Sequence, residues 1–99
     1  MVTHVEYQWW IGAQPLLDRA HIARWEVIEV LYSATRWPRP AKTPNGLSVL
    51  TVWGRTDENR PLVVLLRRPR PYATSWQIML AAPMRPDQLA EYTAWEAQR

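Results

Sequence analysis

The sequence predicts an α+β domain of order β-α-α-β-β-β-α: a small antiparallel sheet packed by helices. Three observations carry that expectation. Leu62–Leu66 is a run of five aliphatic residues between Pro61 and Arg67-Arg68, the pattern of a central strand covered on both faces. Residues 23–34 place Trp25, Ile28 and Leu31 three apart with Tyr32 beside them, which is helical spacing. Finally, 99 residues that are 47% hydrophobic and 21% charged suit one packed core, neither disordered nor divided. The whole chain, 1–99, is read as a single domain.

The elements follow in order. Val2–Trp10 alternates through Val5, Tyr7 and Trp9 as a short strand, and Gly12 breaks it. Pro15 suits a helix start, where its missing N–H costs nothing; that helix runs through Leu16, Leu17 and Ala20 and ends near His21. A second helix spans Ala23–Ala34, with Trp25, Ile28 and Leu31 inward and Glu26 and Glu29 toward water. Thr35–Gly46 holds three prolines and ends in Asn45-Gly46, so it is a loop or at best an edge strand and a turn. Strands follow at Leu47–Thr56, Leu62–Arg68 and Ser75–Ala82. A four-residue turn over Asp57–Arg60 sets Arg55 across from Leu62 and Trp53 across from Val64 as a core pair. Pro86 and Asp87 start a last helix whose apolar face is Leu89, Tyr92 and Trp95. The two early helices are expected on one sheet face, with the last at an edge or across the other side.

Composition narrows the function classes. There is no cysteine, so disulfides and thiolate metal sites are excluded. No apolar run approaches the roughly 20 residues that cross a bilayer, and the start lacks the pattern of a secretory signal. A cytoplasmic protein without membrane contact is the expectation. Net charge is only +3, but it is unevenly placed. From Arg36 to Arg85, nine basic residues face two acids, while the rest of the chain holds three basic residues and seven acids. A basic middle points to a polyanion-facing surface, against the plainer reading of a solvated rim. Seven Trp and four Tyr with no Phe supply amphipathic rings suited to half-buried positions and interfaces.

Enzyme motifs are few. Three glycines cannot make a phosphate-cradling loop, and His4 and His21 have no metal-ligand spacing. No metal or cofactor is expected. One open chemistry is metal-free RNA cleavage, which needs a base, an acid and cations for charge developing on phosphorus. The candidate pool is His21, Arg55, Arg60, Arg67, Arg68, Tyr72 and Arg85. Each also has an ordinary reading, His21 as a helix C-terminal residue and the arginines as hairpin decoration. Arg67 and Arg68 point to opposite faces, so at most one shares a site with Arg55.

The runs EYQWW, LLDRAHIARWEVIEVL, VWGRTDENRPLVVLL and WQIMLAAPMRPDQLAEY together resemble the BrnT-like toxins of bacterial type II toxin–antitoxin systems. The resemblance spans nearly the whole chain apart from Arg36–Pro44. It implies a RelE-like fold, metal-independent RNA cleavage that inhibits translation, and a cognate antitoxin through which a homo-oligomer would form. It assigns His21, Arg55, Arg60 and Tyr92 to catalysis; Arg67, Arg68, Arg70 and Arg85, taken from the basic residues themselves and not matched to the family, are expected on the RNA. The last strand departs from the family: Ala81 is followed by Ala82 and Pro83 where an arginine is usual, and Gln88 stands near a usual glutamate. Two functions are therefore expected: a toxin that cuts RNA, or a non-catalytic nucleic-acid- or protein-binding module on the same fold.

Overall fold

The computed structural model describes residues 6–99. The start of the expected Val2–Trp10 strand, His4 included, lies outside them. The chain forms β1 (Glu6–Trp9), α1 (Ala13–Arg19), α2 (Arg24–Leu31), β2 (Trp37–Lys42), β3 (Ser48–Arg55), β4 (Pro61–Arg67), β5 (Ser75–Pro83) and α3 (Pro86–Glu96). The expected α+β class holds, and the proline-rich segment supplies an edge strand. Thr51 accounts for its anchoring, since its hydroxyl donates to the Arg39 carbonyl at 2.7 Å.

The sheet has five strands in the order β1-β5-β4-β3-β2. Pairing is antiparallel except at one edge, where β1 runs parallel to β5. The aliphatic run of β4 is central, as its two-sided apolarity requires. Leu62, Val64 and Leu66 face α1 and α2 and are buried with Val52, Ile78, Ala81, Leu17, Val27, Val30 and Leu31. Gly54 permits close approach here, because a Cβ at that position would meet Val30 Cγ1 at 3.1 Å. The opposite face carries Trp53 and Val63, covered by Tyr92, Leu89 and Trp95 of α3. Large rings hold α3 there: Trp95 stacks on Trp37 at 4.8 Å, and Trp37 meets Trp53 edge-on at 5.7 Å.

Two details of the expected packing are overturned. The β3–β4 loop holds three residues, Asp57–Asn59, not four. The Thr56 amide donates to the Arg60 carbonyl at 2.9 Å, the Arg60 amide donates back to the Thr56 hydroxyl at 3.0 Å, and Asn59 takes φ 73° to close the turn. Trp53 therefore lies across from Val63, not Val64, and Arg55 across from Pro61, not Leu62. A one-residue slip exchanges faces, and it puts Trp53 and Arg55 under α3. Helix α2 is also rotated from its expected setting. Glu26, Val27, Val30 and Leu31 are buried, whereas Trp25, Ile28 and Tyr32 are exposed.

Candidate nucleic-acid interface

The arginines flanking the β3–β4 turn go to opposite sides of the sheet. Arg60 reaches the helical side. Its Nη1 donates at 3.0 Å to both carboxylate oxygens of Glu26 and to the His21 carbonyl. Glu26 in turn accepts from the Ala23 amide at 3.0 Å. That amide, with the Arg60 guanidinium, holds the Glu26 carboxyl below the usual glutamate range. Arg55 turns the other way, under α3. Its Nε donates to Glu96 at 3.2 Å, and its guanidinium lies 5.4 Å from the Tyr92 ring centre. The two arginines therefore do not form one phosphate grip. Each is engaged by a carboxylate that locks an element in place.

The other members of the expected catalytic group are equally dispersed. His21 is exposed in the α1–α2 connection, with φ 55°, and its backbone, not its ring, contacts Arg60. Tyr92 is fully buried, and its hydroxyl donates to the Thr35 carbonyl at 2.6 Å. Burial raises its pKa, as expected for a phenol shielded from water. Its position on the apolar face of α3 is the expected one, but its hydroxyl ties that helix to the segment before β2.

A different set of cations comes together where β4 ends and β3 begins. Antiparallel pairing places Ser48 and Val49 beside Arg68, and the pairing of β2 with β3 puts Lys42 across from Ser48. An open groove of about 510 Å³ lies there, lined by Ser48, Val49, Arg68, Pro69, Arg70, Pro71 and Trp76. The Arg68 guanidinium lies over the Trp76 indole, 4.8 Å from the ring centre. Arg70 also lines the adjoining hollow with Gln8, Tyr72 and Ser75, and Tyr72 is 95% exposed. Arg67 projects to the other face, as alternation requires, where its Nε donates to Gln77 Oε1 at 3.0 Å and its guanidinium approaches the Trp10 ring. Among the described residues, no carboxylate is within ion-pair distance of Arg67, Arg68 or Arg70, whereas Arg39, Arg55, Arg60 and Arg85 each hold one. Glu6, beside Ser75, is the single acid on any strand among the described residues.

Arg85 stands apart from this end. It precedes α3, pairs with Asp87 at 3.2 Å and keeps that carboxyl below its usual range. It lines a cleft with Arg39, which is flanked by the Trp37 and Trp53 indoles and paired with Glu91. The resulting local charge is balanced. Sequence reasoning picked out Arg67, Arg68 and Arg70 but missed Lys42, Ser48, Val49 and Trp76 as their neighbours. The antiparallel pairing of β3 with β4 is the signal that unites them. No helix among the described residues is long and apolar enough to cross a membrane.

No protein-family model matches the chain, and no curated protein matches it in sequence.

Proposed function

We propose that this chain is a nucleic-acid-binding module whose contact surface is the Arg67–Arg70 end of the sheet. The supporting observation is the groove lined by Arg68 and Arg70, with Lys42 paired across from its Ser48, and no carboxylate among the described residues within ion-pair distance of either arginine. Arg39, Arg55, Arg60 and Arg85 are each paired with a carboxylate and add less to an external field. Guanidinium groups donate paired hydrogen bonds to phosphate and keep their charge at any physiological pH.

The test is fluorescence anisotropy of a labelled RNA oligonucleotide titrated across a salt series. Two or three phosphate contacts should give a log–log salt slope of about −1.4 to −2 for a single strand. The double variant Arg68→Ala, Arg70→Ala should weaken binding and flatten that slope by about 1.4, with an unchanged circular dichroism spectrum and melting temperature. A wild-type protein that binds no nucleic acid even at low salt would sink the proposal.

A second reading keeps RNA as the ligand and makes the chain a toxin of a type II toxin–antitoxin pair. It is supported by the element order, with α1 and α2 on one sheet face and α3 on the other. It adds metal-independent cleavage and a protein antitoxin. His21 is its proton carrier, and the exposed imidazole is accessible for that role, although Arg55, Arg60 and the Tyr92 hydroxyl are turned elsewhere. Cleavage of RNA in the absence of metal, lost in His21→Ala, would establish it; binding with no cleavage and no growth arrest on expression would leave the first reading alone.

A further inference from the structure

We infer that the groove beside Arg68 takes an unpaired nucleobase, so that the ligand is single-stranded nucleic acid. The inference rests on the nucleic-acid reading above and sharpens it. A surface that merely collects phosphates needs charge but no cavity. Here the cations border a concavity whose floor and walls are apolar: Val49, Pro69, Pro71 and the Trp76 indole. Its volume of about 510 Å³ falls in the range of small-molecule sites, roughly 300–1,000 Å³. Trp76 also packs against the helical-side core, and its ring supports the Arg68 guanidinium from one side. A guanidinium lying over an indole leaves its other side toward the groove, and nucleobases stack on guanidinium planes as they do on aromatic rings.

The rest of the groove fits a nucleotide unit. Arg70, two residues after Arg68, lines both the groove and the adjoining hollow. It is placed to meet the phosphate next to a base seated against Arg68. Ser48 offers the one hydroxyl in the lining, a donor or acceptor for a base edge or sugar. In a duplex the bases are stacked on one another and their faces are covered, so no base could enter without being extruded. Single strands pay little for this, and a stacked base contributes a sequence-tolerant gain in affinity.

The test compares single-stranded RNA, single-stranded DNA and the matching duplexes in anisotropy titrations at one salt concentration. Both single strands are expected to bind at least about tenfold more tightly than their duplexes. Arg68→Lys, an exchange at an exposed side chain, retains the charge and removes the plane. It should lower single-strand affinity several-fold while leaving the salt slope unchanged. Trp76→Phe, with a smaller ring, should act in the same direction. Millimolar adenosine monophosphate should displace the oligonucleotide where equal inorganic phosphate does not. Equal affinity for strand and duplex, a wild-type Arg68→Lys, or equal competition by phosphate would each overturn the base-binding groove while leaving polyanion binding intact. Absence of any nucleic-acid binding would instead remove the reading on which it stands.

Discussion

Glu26 is the side chain on which the turn end of the molecule depends. It sits at the third position of α2, accepts from the Ala23 amide, and receives Arg60 from the end of the β3–β4 turn. One carboxylate thus joins a helix start, a hairpin turn and, through Arg60, the carbonyl of His21. Its side chain is only 12% exposed, so neither partner is easily replaced by water. Because the folded state depresses its pKa, its contribution is complete above the ordinary glutamate value of about 4.3 and is lost as pH falls below it. Glu26→Gln should therefore flatten the acid limb of stability and cost about 1.5–3 kcal/mol at pH 7. Urea unfolding across a pH series measures both, and a wild-type acid limb in the variant would contradict this role.

At the scale of the element, α2 shows how a correct helix can be set with the wrong face inward. Trp25, Ile28 and Tyr32 are its largest apolar residues, but Trp25 and Tyr32 remain 55% and 66% exposed. Smaller Val27, Val30 and Leu31 fill the space above Gly54 and β4, which leaves no room for an indole. Replacing Trp25 by Ser should change stability by no more than about 0.5 kcal/mol and Tyr32→Ser, which loses an edge-on contact with Tyr7, by about 0.5–1.5 kcal/mol, whereas Leu31→Ala should cost about 2–5 kcal/mol. Chemical denaturation of the three variants distinguishes this setting from one with Trp25 inside. Periodicity gave the helix its place and length, but the choice of buried stripe belonged to the partner surface. The same holds for the hairpin. Its strands were legible in Val49–Arg68, but its register depended on Thr56 pairing with Arg60, through one backbone bond and the Thr56 hydroxyl, a closure that a four-residue turn over Asp57–Arg60 does not anticipate. The arginines were legible as cations and their faces at Arg67 and Arg68 followed from alternation. Which of them would be neutralised was not, because Glu26 and Glu96 are distant in sequence and meet Arg60 and Arg55 only through tertiary packing.

The molecule as a whole separates two kinds of arginine by position. Arg60 at the turn end and Arg55 beneath α3 are tied to acids and serve the fold, whereas Arg68 and Arg70 at the other end border an apolar groove. The sheet that divides them is assembled from unequal parts. Strands β2 to β5 are successive antiparallel neighbours joined by short connections. β1, by contrast, pairs with β5 across roughly 70 residues of chain. Closing that loop costs entropy before any contact repays it, so the hairpins are expected to form first and β1 to dock last. Hydrogen exchange should find the β1 amides opening with a lower free energy than those of β3 and β4; uniform protection across the sheet would argue against the order. Gln8 and Ser75 both line the hollow that adjoins Arg70, and they lie on the two strands of this last pairing. The groove region is thus bordered by the seam that closes latest and loosens first, and its readiness for a ligand is a matter of timing as well as of shape.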